Sequence, residues 1–160
     1  MLCGCAARQL VPVGVPDSPG LEVAHRGPLR VVVHADENVD PLPLRGGSLA
    51  LTGVRESLSQ VVAAAAADWA RRHASDRPGG WTLRLDLLES RAEASSDRVT
   101  VELAARATLS ASVGPIALGQ THAWCWQEAG TGAEEAASCV QACMESMARD
   151  LAGWLGGVPP

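Results

Sequence analysis

Covalent chemistry in this 160-residue chain centres on Cys125, Cys139 and Cys143. Cys139 and Cys143 are four apart in a helix-like stretch, so they lie on neighbouring turns of one side. A disulfide from Cys125 to either is one outcome in an oxidising compartment; buried free thiols are the other. Strand alternation puts Cys125 on the face opposite Trp124 and Trp126. If the tryptophans are core, Cys125 turns from the helices and a bridge needs a bulge or strand end. The tryptophans themselves read in two ways, as core or as an exposed docking patch, since Trp is favoured at interface hot spots.

Other groups carry weaker signals. Cys3 and Cys5 with Cys139 and Cys143 total four thiolates, but the pairs sit at opposite chain ends, unlike the tight pairs of a structural zinc site; no metal and no cofactor are expected. His25, His34, His73 and His122 show no metal-ligand spacing, and His34 and His122, if they meet across strands, read as hydrogen-bonded surface residues. Gly46-Gly47-Ser48-Leu49-Ala50 falls one residue short of a nucleophile elbow. Asp86 and Glu102 lie on adjacent strands, where interleaved Arg84 and Arg106 favour cross-strand ion pairs. No catalytic residue is assigned, and the chain is not expected to be an enzyme.

The elements that must position these groups are legible from periodicity. Residues 29–36 (LRVVVHAD) read as a buried strand, and 37–51, with DPLPLRGGS, as loop or edge material. Val54, Leu58, Val61, Val62, Ala65 and Trp69 recur at helical spacing, which predicts a helix over 53–74. Alternation then predicts strands in WTLRLDLLE, in VTVELAARATLSASV and over 116–127, with turns at 95–97 and Gly114-Pro115. Ala136, Val140, Met144, Met147, Leu151 and Leu155 mark a final helix, with a capping pattern at Thr131 and Glu134 and a stop at Gly156-Gly157. The expected architecture is α+β in two layers, in the order β-α-β-β-β-α, with both helices on one face of a mainly antiparallel sheet. Residues 29–157 form this single domain, and 1–28 are read as a signal remnant and flexible tether; its Pro- and Gly-rich stretch 6–28 would span roughly 25 Å root-mean-square.

The net charge is −5, with thirteen basic residues scattered among the acids, which argues against a nucleic-acid partner, because counterion release needs a clustered basic surface. No apolar run approaches the length of a membrane-spanning helix.

Leu2-Cys3-Gly4-Cys5 resembles the end of a bacterial lipoprotein signal peptide, in which the last cysteine receives lipid. The resemblance implies lipid attachment at Cys5, with the charged and apolar part of the signal upstream of Met1. Ala6 and Ala7 lack the Asp of inner-membrane retention, which points to the outer membrane. The tether, LRVVVHAD, ESLSQVVAAAAADWARRHA, the two alternating strands and EEAASCVQACMESMARDLAGWL are similar in order and patterning to YajG-type lipoproteins, LPS-assembly lipoprotein E and the auxiliary lipoproteins of lipid-trafficking ABC transporters. That resemblance covers nearly the whole chain. It implies a non-enzymatic periplasmic accessory that plugs, docks or matures a larger envelope complex. Binding is expected from a sheet edge or from loops 37–48 and 114–120. The alternative is a cytosolic ligand-binding or structural domain with free thiols.

Overall fold

The computed structural model describes residues 8–14, 28–35, 39–76, 79–128, 130 and 132–159. Cys3, Cys5 and Thr131, and with them the lipid-attachment site, lie outside the described residues. The strands are β1 (Gln9–Pro12), β2 (Leu29–His34), β3 (Leu42–Arg45), β4 (Leu49–Thr52), β5 (Trp81–Ala94), β6 (Arg98–Ala111) and β7 (Gly114–Glu128). The helices are α1 (Val54–Ala65), α2 (Ala67–Arg72) and α3 (Ala133–Gly156). The fold is α+β in two layers, with a mixed, mostly antiparallel sheet in the order β1-β4-β3-β5-β6-β7. α3 packs on β6 and β7, α1 on β2, and the two helices on each other.

The antiparallel meander β5-β6-β7 is the frame. Along β6, Val99, Val101, Leu103, Ala105, Ala107 and Leu109 are all buried against the helices, the single apolar face that period two requires. β5 starts in the same phase, with Trp81, Leu83 and Leu85 inward, and then bulges between Leu87 and Glu89. The extra residue, Leu88, is left exposed, and the inward phase moves to Ala92. Such a bulge is one added residue on one strand of a pair. It carries β5 on to Ala94, five residues beyond the stretch that alternation marks.

β5 has β6 on one side and two short parallel strands on the other. β2 pairs with Trp81–Asp86, and β3 with Ala92 and Glu93. The expected loop 37–48 is therefore partly strand, and β3 turns back into β4 through Gly46 and Gly47. Gly46 has φ +87°, and any Cβ there would collide with the Ala94 carbonyl oxygen. The near-miss nucleophile motif is this hairpin turn.

The expected tether is corrected at its start. Gln9–Pro12 adds to β4 as a parallel edge strand, a position where Pro12 lacks no ladder partner. Val13 is buried, its carbonyl accepts the Ser57 hydroxyl at 3.2 Å, and the Gly14 carbonyl accepts Gln141 Nε2 at 2.9 Å. This segment thus ties the sheet to α1 and α3. The single helix expected over 53–74 is two, parted at Ala66. The N-terminus of α1 is capped from a distance, by Asp40 accepting the amides of Gly53 at 3.0 Å and Arg55 at 3.3 Å. At α3 the cap is Gly132, whose amide donates to Glu135 Oε2 at 2.8 Å; Glu135 takes the role expected of Glu134. The predicted apolar stripe of α3 is buried from Ala136 to Leu155, with Cys139 and Cys143 in it.

Candidate docking face

β7 is where the chemistry-bearing residues meet. Among the described residues it pairs only with β6, and no described strand pairs with its far edge, a row of backbone donors and acceptors that another chain could meet. The expected loop 114–120 is the start of this strand; the turn before it is Ser112-Val113, with Gly114 at φ +118°.

The register with β6 assigns the two faces of β7. Opposite the buried odd residues of β6 stand Ala117, Gly119, Thr121, Ala123 and Cys125. Opposite the solvated even residues stand Leu118, Gln120, His122, Trp124 and Trp126. Trp124 is 58% and Trp126 52% exposed. The core reading of the tryptophans is therefore overturned, and with it the objection to a bridge at Cys125.

The reason is the closeness of α3. A Cβ on Gly119 would lie 2.7 Å from Trp154 Cε2, so a side chain on that face has little room. Thr121 fits and donates its hydroxyl to Asp150 Oδ2 at 3.3 Å. Cys125 fits and forms a disulfide with Cys139, the Cα atoms 5.3 Å apart. Closing a loop of about 15 residues constrains the unfolded chain and is worth about 3 kcal/mol. Cys139 in a disulfide is removed from any four-thiolate zinc set.

Cys143, one turn on, remains a thiol with 1% exposure, and its Sγ–H points to the Val101 carbonyl at 3.7 Å. Burial pushes this thiol up to about 12, and the Glu102 carboxylate adds to the shift. It is a protonated core residue, poorly suited to nucleophilic work.

The outer face beside the tryptophans is polar and paired. Glu102 Oε1 lies 2.8 Å from His122 Nε2, and Arg84 Nε 2.8 Å from Asp86 Oδ1. Glu102 thus meets His122 rather than Arg106, and Asp86 and Glu102 do not act as a carboxylate pair. His34 ends β2 while His122 sits on β7, with β5 and β6 between them; the two do not meet. In the β5-β6 turn, the Ser95 hydroxyl donates to Asp97 at 2.7 Å and holds that carboxyl below its usual range, with Arg98 adding to the effect. A shallow groove of about 440 Å³ lies between β2 and the start of α1. Of its two lining carboxylates, Asp40 is committed to capping α1 and Glu56 accepts Gln60 Nε2 at 3.3 Å.

No family model and no curated protein matches the sequence. Among solved structures, the fold is shared with protein XCC0632 from Xanthomonas campestris, of family DUF330, at a TM-score of 0.59 and 14% identity over 91% of this chain and 94% of that one. A Caulobacter crescentus CB15 protein provisionally assigned as a lipoprotein aligns at 15% identity and a TM-score of 0.42, over 86% of this chain and 99% of that one. At these identities what is shared with XCC0632 is the fold. Among the described residues, no helix is long and apolar enough to cross a membrane.

Proposed function

We propose that the chain is a bacterial lipoprotein anchored to the outer membrane through Cys5, with its domain in the periplasm. It acts without catalysis, as an accessory or assembly component of an envelope complex such as one that moves lipid or lipopolysaccharide. The observation that carries this reading is the Cys125–Cys139 disulfide. Structural disulfides persist in oxidising compartments and are rare in the cytosol, so the bond favours the envelope over a cytosolic domain with free thiols. Contact with a partner falls to β7. Among the described strands its far edge is unpaired and can accept an added strand, and Trp124 beside that edge supplies an aromatic anchor of the kind that dominates interface energies.

The test is the mass of the mature protein made in its own host from the native gene with its upstream codons, together with a thiol count after denaturation. Diacylglyceryl-modified Cys5 as the first residue, with Cys143 as the one titrating thiol, is the expected result. A chain that retains Met1 and titrates all five cysteines would return the protein to the cytosol.

A further inference from the structure

The position of β1 changes what an anchor at Cys5 would do. With 6–28 as a tether the domain would roam; with β1 in the sheet, three residues separate Cys5 from Gln9. Four Cα steps reach at most about 14 Å. The anchor therefore leaves no room for the domain to stand off, and the point where β1 enters the sheet is held at the bilayer surface.

That point belongs to a definable end of the molecule. The Gln9 amide donates to the Ser48 carbonyl at 2.9 Å, so β1 begins beside the β3-β4 turn. From that turn one row crosses the sheet: Arg45 pairs with Glu93, Glu93 with Thr100, and Thr100 with Trp126. The β5-β6 turn lies just past this row, so it belongs to the same end. Leu10, 59% exposed, lies at one side of that end, and Trp126, with Trp124 two residues further in, at the other. The acids and bases there alternate and pair, Arg45 with Glu93, Arg91 with Glu89 and Glu93, and Arg98 with Asp97. Attraction to anionic lipid is thus a minor contribution, and the apolar groups decide. Tryptophan, with an apolar ring and a polar N–H, is the side chain that settles at the headgroup boundary.

From the short connection and the placement of the tryptophans together, we propose that this end of the sheet rests on the lipid surface, with Trp126 at headgroup depth. This rests on the lipoprotein reading and deepens it. The partner would then meet the part of β7 that rises from the membrane, from Trp124 back towards Ile116.

The other three tryptophans serve as internal controls. Trp81 opens β5, twelve residues before Glu93, roughly 40 Å along the strand at 3.3 Å per residue, and Trp69 packs against it with ring centroids 5.2 Å apart. Trp154 covers Gly119, seven residues from Trp126, roughly 23 Å away.

The full-length mature protein would be reconstituted in vesicles of phosphatidylethanolamine and phosphatidylglycerol, doped with lipid nitroxide-labelled near the headgroup. Quenching of tryptophan emission is then compared among wild type, Trp126→Phe, and a chain with twelve Gly and Ser residues inserted between Ala7 and Arg8. The expected result is partial quenching in the wild type. Trp126→Phe should lose most of it, and the lengthened chain should also lose most of it while staying on the vesicles. A lipidated, vesicle-bound protein whose quenching ignores both changes overturns the orientation and leaves the anchor standing. So does quenching that appears only when an envelope partner is added, which would assign Trp126 to protein. An unmodified Cys5 in the mature protein overturns the anchor and the orientation together.

Discussion

The two faces of β7 invert the usual relation between side-chain size and burial. The inward face, Ala117, Gly119, Thr121, Ala123 and Cys125, carries small residues under α3, while the outward face carries Leu118, His122, Trp124 and Trp126 in water. On β6, one strand away, the inward residues include Val99, Val101, Leu103 and Leu109. The difference between neighbours lies in how near the covering helix comes. Where Trp154 of α3 presses on the strand at Gly119 there is no space to fill, and interiors packed at crystal-like density penalise excess volume as firmly as voids. Hydrophobicity alone does not say which face of a strand is core; the inter-element distance does.

The covalent part of the inward face gives the strongest way to break this contrast. Replacing Cys125 and Cys139 together by Ala leaves neither half of the bridge as a new thiol and removes the constraint on a loop of about 15 residues. The folded state should lose about 3 kcal/mol, read as a lower urea midpoint with a little-changed slope. A midpoint that does not move would mean that α3 holds β7 by packing alone.

A smaller loss is expected at the tightest contact. Gly119→Val inserts a branched side chain where the indole of Trp154 lies and should cost about 1–3 kcal/mol by overpacking. Trp154→Ala in the same chain should recover part of that loss, so the double-mutant cycle reports a coupling between the two sites. Additive effects would place Trp154 away from the strand.

How much of this was legible beforehand follows the length of each pattern. β6 shows six apolar residues at period two, and α3 a stripe of more than five turns, so both are plain in the sequence. β1, β3 and β4 have four residues each, too few for a period to register, and Pro12 and Pro43 argue against the first two. They form because the edge of β5 and one another's edges offer hydrogen bonds, information carried by tertiary context. The bulge at Leu88 hides the second half of β5 by shifting its phase. The site was half legible. Cys125, Cys139 and Cys143 stand out by type and spacing, which leaves open whether a bridge forms and to which of the two, and the face of Trp124 was hidden, because size suggested core. The signal that could have found it was the run of small residues at 117, 119, 121 and 123, which marks a close-packed helix above.

Cys143 sharpens the comparison from the core side, since it shares a helix face with Cys139 but stays a thiol. Its ionisation is raised from 9.0 to about 12, so the folded protein keeps a proton that the unfolded chain releases. Stability should be unaffected below pH 9 and fall as pH rises towards about 12, at up to about 1.4 kcal/mol per pH unit. Cys143→Ala should flatten that part of the curve in urea titrations run from pH 8 upwards. An unchanged alkaline slope would mean that Cys143 ionises alike in the folded and unfolded chains.

The smallest effect on stability is expected at the largest side chains. Trp124→Thr and Trp126→Thr remove two indoles, the kind of truncation that costs about 3–5 kcal/mol in a core. Both are more than half exposed, and threonine suits an edge strand, so the urea midpoint should correspond to a change within about 0.5 kcal/mol. Binding should respond in the opposite way: with Trp124 anchoring the envelope partner, its affinity should fall by about 2 kcal/mol or more, some thirtyfold in Kd at about 1.4 kcal/mol per decade. A double variant that unfolds easily would return the tryptophans to the core and undo the assignment of faces on β7. One that is stable and binds normally would leave the assignment intact and move the docking contact to the strand's backbone edge.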